Sequence, residues 1–153
     1  DKRFRSVTLK IVQAKLFQGR LSMITKYFLA WFLLAIVATT NGIVRQSTYG
    51  KIISELAAHQ ISTVTGILAT GIVVWRLSRM WPLESSSQAW TNGVIWLILT
   101  IGFEFGFGYF MVGHSWEKLL ADYNILNGRV WSLFLIWMTV MPFFFFKLSG
   151  HAP

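Results

Sequence analysis

The sequence predicts an all-α membrane protein, a four-transmembrane-helix antiparallel bundle preceded by a basic amino-terminal amphipathic arm. Of the 153 residues, 54% are hydrophobic and only 13% are charged, whereas a soluble domain carries about a quarter charged residues. The mean hydropathy is +0.53. Four apolar runs each approach the ~20 residues that a helix needs to cross a ~30 Å hydrocarbon layer. We therefore expect one transmembrane domain over residues 27–147, with the arm at 1–26.

The predicted arm is rich in basic residues and contains a single acid, Asp1. Its apolar residues recur at helical spacing and basic residues rim them, which is typical of a helix lying on an anionic membrane surface. The side chains expected to contact that surface are Lys2, Arg3, Arg5, Lys10, Lys15 and Arg20. The alternative is that residues 1–22 are a leader and that Met23 is the natural start.

Four spans follow the arm, at about 27–44, 56–75, 93–111 and 130–146. The second span is the most polar, because it carries His59 and several hydroxyl residues, so it is the span least suited to face lipid. The connections between the spans are too short to hold a second domain. Successive spans should therefore cross the membrane in opposite directions.

Basic residues predict how the bundle is oriented. Ten Lys and Arg residues fall on the side that holds the arm, the 76–92 loop and the carboxyl tail, against four on the other side. The positive-inside rule then predicts a multi-pass protein with both termini in the cytoplasm, and a bacterial inner membrane is the expected location. Without residues 1–22 the two sides carry equal numbers, so this prediction depends on the arm.

Antiparallel threading brings the unusual polar residues to one end of the bundle. The first span reaches that end, the second begins there, the third approaches it, and the 112–129 loop lies on the same side. The predicted polar cluster comprises Asn41, Arg45, His59, Ser62, Glu104, His114, Asp122 and Arg129. Reversing the protein in the membrane moves the whole cluster together, so the convergence does not depend on orientation.

Glu104 is the central residue of this cluster, because it lies inside an apolar, aromatic run where an ionised carboxyl is costly. Three interpretations stay open from the sequence. The carboxyl can be protonated and neutral, it can lock the bundle through an ion pair or hydrogen bond, or it can relay protons or cations. The partners expected on the same side are Arg45, His59 and Arg129.

Glycines predict where helices approach closely. Gly66 shares one helical face with His59 and Ser62, whereas Gly102 and Gly106 form a GxxxG pair on a face that does not contain the acid. We expect all three glycines to mark helix packing.

The 112–129 loop has a structural and a chemical interpretation. Ser115 is placed to cap a short interfacial helix, and Asn127 with Gly128 is placed to turn the chain. The oxygen donors Glu117, Asp122 and Asn124 lie near His114 in sequence, but their spacing matches no metal motif, so no metal is predicted. No cofactor is predicted either; one haem ligated by His59 and His114 is the alternative.

Function is less defined than fold. The absence of cysteine excludes disulfides, thiolate metal sites and cysteine nucleophiles. The net charge of +8 is attributed to membrane topology, so nucleic acid is not an expected partner. No hydrolase, metalloprotease, P-loop or dinucleotide fingerprint occurs.

We expect a non-enzymatic accessory or interaction subunit that meets lipid and a protein partner or a second copy. The first alternative is a small transporter or channel for a proton, cation or polar solute using Glu104 and His59, and the second is a haem-binding or other membrane enzyme.

The stretch FEFGFGYFMVGHSWEKLLADYNILNGR, with AHQISTVTG upstream, resembles a family of small bacterial integral membrane proteins with four predicted spans and no assigned function. The resemblance covers about residues 23–142. It implies that the similar positions form one site: Asn41, Arg45, His59, Ser62, Glu104, Trp116, Asp122, Tyr123 and Arg129. It implies no activity.

Overall fold

Five α-helices and two short 3-10 helices make up the part of the chain that the structure, a computed structural model, describes. That part is residues 2–150, and no strand occurs in it. The α-helices are α1 (Lys2–Ser47), α2 (Glu55–Met80), α3 (Ser86–Phe110), α4 (Trp116–Ala121) and α5 (Trp131–Leu148). The 3-10 helices are Tyr49–Lys51, before α2, and Ile125–Asn127, before α5.

Four of these helices, α1, α2, α3 and α5, are long and apolar enough to cross a membrane. The chain is therefore a multi-pass membrane protein with an all-α fold, as its hydropathy predicts. Three helices are longer than the predicted spans: α1 begins at Lys2 rather than near residue 27, and α2 ends at Met80 rather than near residue 75. α3 begins at Ser86 rather than near residue 93, because Ser85 caps it by accepting a hydrogen bond from the backbone N–H of Gln88.

The basic arm is not a separate element, because α1 runs through it without a break and is 46 residues long. At 1.5 Å per residue this helix is about 69 Å long, more than twice the ~30 Å hydrocarbon layer. The side chains of Arg5, Lys10 and Lys15 are exposed. Those of Lys2, Arg3 and Arg20 lie outside the described residues, so their predicted membrane-surface contacts stay predictions. Packing against the bundle begins at Met23.

The four spanning helices form a ring in which each packs against two neighbours. α1 packs against α2 and α3, and α5 packs against the same two helices. Short connections make successive spanning helices antiparallel, but α2 and α3 lie across the ring from each other rather than side by side. The ring leaves a central space that side chains from all four helices must fill.

Aromatic and aliphatic side chains fill the half of the bundle that is distant from α4. Trp96 is fully buried there, its ring stacks on Tyr27 at 5.7 Å, and its Nε1 donates to the backbone oxygen of Tyr27 at 2.7 Å. Met141, Phe145 and other buried residues of α5 complete this packed half. α3 and α5 approach closely at Gly93, where an added Cβ would lie 1.9 Å from the carbonyl oxygen of Thr139.

The other half carries the loop between α3 and α5. Ser115 caps α4 by accepting a hydrogen bond from the N–H of Lys118, which confirms the short helix predicted there. Gly128 then turns the chain toward α5 with a positive φ of 75°, a conformation that favours glycine. This loop covers the end of the bundle where the polar residues lie.

Candidate functional site

A cavity of about 280 Å³ lies among α1, α2, α3 and α5 at the end covered by the loop. Its walls are apolar along much of α1 and α5, where Leu34, Ala38, Phe134 and Met138 line it, and polar toward the loop. A volume of this size would hold roughly nine water molecules at ~30 Å³ each, or a short alkyl chain. It is close to the lower limit of ~300 Å³ for small-molecule sites.

Most of the predicted polar cluster borders this cavity. The cluster members at its wall are Asn41, Arg45, His59, Ser62, Glu104, His114 and Asp122. Arg129 lines a second cavity of about 270 Å³ toward the loop surface, and Arg45, His59, His114 and Asp122 border both. The structure therefore brings residues from α1, α2, α3 and the 112–129 loop into one place.

One part of the cluster joins α1 to α2. Asn41 donates through Nδ2 to the backbone oxygen of Ser62 at 2.6 Å and to its Oγ at 3.0 Å. Thr65 donates to Asn41 Oδ1 at 2.8 Å. Gly66 lies beside this contact, where an added Cβ would be 3.2 Å from Asn41 Nδ2. The nitrogen and the oxygen of the Asn41 amide are thus both hydrogen-bonded to α2, and these bonds hold the two helices together.

Glu104 has different partners from those that the sequence suggested. Tyr123 donates through its hydroxyl to Glu104 Oε2 at 2.6 Å, and Trp131 donates through Nε1 to the same oxygen at 2.8 Å. Within the described chain no ion pair joins Glu104 to a cation, so the expected pairing with Arg45, His59 or Arg129 is wrong. Glu104 instead ties α3 to the loop and to the start of α5.

The Tyr123 hydroxyl is committed to this contact. Burial, followed by its hydrogen bond to Glu104, raises the pKa of Tyr123 above the usual value for a phenol. The phenol is therefore neutral at physiological pH and acts as a donor. Trp131 could have been suspected as the second donor, because a tryptophan at the start of a span needs an acceptor for its indole N–H when it is buried.

Arg129 forms a second link between the loop and α2. Its Nη2 lies 2.9 Å from Glu55 Oε1, and its Nη1 lies 3.3 Å from Asp122 Oδ1. Both neighbouring carboxylates are therefore engaged by Arg129, which explains why this cation does not reach Glu104. Glu55, at the first turn of α2, was not in the predicted cluster because its position resembles an ordinary helix start.

Arg45 and His59 form a third group, and it differs from the others. Arg45 Nη1 lies 3.0 Å from His59 Nδ1, and no carboxylate in the described chain forms an ion pair with Arg45. Only 6% of His59 is exposed, and its Nε2 is buried without a hydrogen-bond partner. The site thus combines satisfied links between helices with one incompletely paired arginine and histidine.

The predicted glycine contacts need a correction. Among the described residues, no neighbouring atom lies within 4 Å of a Cβ added at Gly102 or Gly106, so these two glycines mark no packing there. The close approach on α3 lies instead at Gly93, against α5, and at Gly108, where an added Cβ would be 2.8 Å from Leu119 of α4. A GxxxG spacing identifies a face that can be approached, but the rotation of the helix decides which glycine is used.

The two histidines of the haem alternative have different surroundings. His59 meets Arg45 through Nδ1, and His114 Nε2 lies 3.2 Å from Lys118 Nζ. Within residues 2–150, no group of three His, Cys, Asp or Glu side chains is placed to hold a metal ion. The haem alternative stays a prediction.

Comparison of the chain with known protein families, with curated proteins and with solved structures finds no match. The resemblance to a family of four-span membrane proteins stays a prediction.

Proposed function

We propose that this protein is a non-enzymatic membrane protein that binds a small amphipathic molecule in the cavity among α1, α2, α3 and α5. The observation that carries the proposal is the wall of that cavity, which is apolar at Leu34, Ala38 and Met138 and polar at Arg45 and His59. An amphipathic molecule matches both parts, because its alkyl portion and its polar head would each lie against a wall of the same character.

The hydrogen bonds around the cavity favour binding over catalysis. The Oγ of Ser62 accepts from Asn41, and the hydroxyl of Thr63 donates to the backbone oxygen of His59. Neither hydroxyl is paired with a ring nitrogen that would activate it as a nucleophile. The polar groups here serve mainly to join helices.

The packed half of the bundle favours binding over transport. The cavity reaches Met138 on α5, and beyond it the space between the helices is occupied by Trp96, Tyr27 and Met141. Each of these three side chains is at most 1% exposed. Movement of a proton or solute across the whole bundle would require this core to open, whereas binding at the polar end would not.

Filling the cavity tests the proposal. Ala38 lines the cavity, so Ala38→Leu would place extra alkyl groups where the ligand is proposed to lie. Displacing two or three methylene groups at ~0.8 kcal/mol each should weaken the binding of decanol by about 10-fold or more. We would measure binding by native mass spectrometry of the protein released from a nonionic detergent, over a series of decanol concentrations.

Ala69→Leu provides the matched control. Ala69 is a half-buried residue of α2 that does not line the cavity, so the same change there should leave decanol binding unchanged. Equal affinity in the parent and in Ala38→Leu, with both proteins folded, would contradict binding in this cavity.

We also propose that both termini are cytoplasmic and that the membrane is a bacterial inner membrane. Support comes from the end of the bundle opposite the cavity, where four cations each lie about 6 Å from an aromatic ring. They are Lys26 over Trp81, Arg76 and Arg79 over Trp75, and Lys147 over Phe143. Basic and aromatic residues together are typical of a cytoplasmic membrane interface.

The lack of native cysteine makes the orientation simple to test. Single cysteines introduced at exposed positions Ser86 and Lys51 would lie on opposite sides of the membrane. In intact bacterial cells, an impermeant maleimide should label the cysteine at 51 and spare the cysteine at 86; the reverse pattern would refute the proposed orientation.

A further inference from the structure

Arg45 and His59 determine the chemical character of the cavity's polar end. A guanidinium group can only donate hydrogen bonds, so in the 3.0 Å contact between the two side chains His59 Nδ1 must be the acceptor. In a neutral imidazole the proton then lies on the other nitrogen. His59 Nε2 is therefore an N–H donor.

This donor has no acceptor. His59 Nε2 is buried and unpartnered, and the histidine is 94% buried. Other residues of the described chain also have buried polar atoms without partners, namely Tyr49, Asn92 and Trp137, but none of them borders either cavity. A buried polar group left unpaired is costly, so His59 favours an occupant that presents an acceptor atom.

The charges around the cavity point to an anionic acceptor. Arg129 is paired with two carboxylates, those of Glu55 and Asp122, whereas Arg45 is engaged with the neutral His59 and has no carboxylate partner in the described chain. The remaining acid at the wall, Glu104, already accepts two hydrogen bonds from the protein. Among the described residues at the wall of this cavity, Arg45 is the one Lys or Arg, so the positive charge that a ligand there would meet is that of Arg45.

We infer that the cavity takes the carboxylate or phosphate head of a short-chain amphiphile, held by the guanidinium of Arg45 and the Nε2–H of His59. The inference rests on the proposed binding function and adds the charge of the ligand to it. The alkyl part lies toward Leu34, Ala38 and Met138. Hydrogen bonds from these two protein donors to an ionised head group are strong in a partly buried site.

The test compares four ten-carbon amphiphiles that differ only in the head: decanoate, decyl phosphate, decanol and decylamine. Native mass spectrometry of the full chain should show that at least one of the two anions binds about 10- to 100-fold more tightly than decanol. Decylamine should bind most weakly, because its ammonium group would face Arg45. Which anion binds more tightly separates a carboxylate head from a phosphate head, and inorganic phosphate alone tests whether the alkyl chain is required.

Two variants assign the contact to the inferred residues. Arg45→Gln should lower the affinity for the preferred anion by about 10-fold or more and lower that for decanol much less, so that the preference for the anion over decanol is lost. Lys51→Gln is the matched control, because it removes one positive charge from the same end of the bundle at an exposed residue outside both cavities. His59→Phe keeps an aromatic ring without the donor and should also weaken anion binding selectively.

The outcomes separate the inference from the proposed function. Equal binding of decanoate, decyl phosphate and decanol, all weakened by Ala38→Leu, would overturn the anionic head while leaving the binding cavity intact. Preferential binding of decylamine would also overturn it and would point to Glu104. If no amphiphile shows binding that depends on Ala38, the proposed binding function and the inferred anionic head are both refuted. A melting curve of each variant in detergent shows whether it is folded, and His59→Phe carries the test alone if Arg45→Gln does not fold.

Discussion

Replacement of Glu104 tests the central link of the polar end. One carboxylate oxygen, Oε2, accepts from the hydroxyl of Tyr123 and from Nε1 of Trp131. Glu104→Leu has a similar shape but no acceptor, so it leaves two donors without a partner. Glu104→Gln keeps an oxygen with two lone pairs at the same place. The two variants therefore separate the loss of hydrogen bonding from the loss of the ionisable group.

The expected loss in the free energy of unfolding follows from the number of donors that Glu104→Leu leaves without an acceptor. A buried donor left unsatisfied costs about 1–3 kcal/mol, whereas hydrogen bonds measured inside a membrane protein average about 0.6 kcal/mol each. Because Tyr123 and Trp131 are only partly buried, we expect Glu104→Leu to lower the free energy of unfolding by about 2–4 kcal/mol. Glu104→Gln should cost less than about 1 kcal/mol, since it can still accept from one or both donors.

The assay is reversible unfolding in mixed micelles, with an increasing fraction of a denaturing detergent and the circular dichroism of the helices as the signal. Tyr123→Phe removes one donor and supplies a double-mutant cycle with Glu104→Leu. The cycle should give a coupling energy of about 0.5–1.5 kcal/mol. If Glu104→Leu is as stable as the parent, or if the cycle shows no coupling, Glu104 does not hold the loop and α5 in place.

Three further predictions concern packing, the link between α1 and α2, and the phenol of Tyr123. Gly93→Ala should destabilise the fold by about 2 kcal/mol or more, because its Cβ would clash with the carbonyl oxygen of Thr139 on α5. Gly102→Ala is the control: its Cβ would lie in open space, so the same unfolding assay should show a neutral or slightly stabilising effect. Asn41→Leu should cost about 0.5–1.5 kcal/mol, since it removes the hydrogen bonds from its amide to Ser62, whereas Thr65 keeps backbone acceptors on α2. An unchanged midpoint would show that this link contributes nothing. The pKa of Tyr123 is raised in the folded state, so its stabilising contribution is present below pH ~10 and is lost as the pH rises above that value. The stability of the parent should therefore fall more steeply than that of Tyr123→Phe as the pH rises above about 10, and parallel curves would contradict the burial of the phenol together with its hydrogen bond to Glu104.

The amino-acid sequence alone determines the class and the gross layout of this protein. Hydropathy and length are local properties of each segment, so the four spanning helices follow directly from the apolar runs. The convergence of residues such as Asn41, His59 and Glu104 at one end follows as well, because short connections force antiparallel threading. Even the cap at Ser115 is a local pattern that the sequence displays.

The tertiary structure decides which polar groups meet and which glycines are used. Glu104 bonds to Tyr123 and Trp131 because the rotation of α3 and the path of the 112–129 loop place those donors beside it. The same rotation leaves Gly102 facing open space and directs Gly93 onto α5. Hydropathy and spacing carry no information about the rotation of one helix relative to another; side-chain packing around the whole ring sets that rotation, and it therefore emerges only in the folded chain.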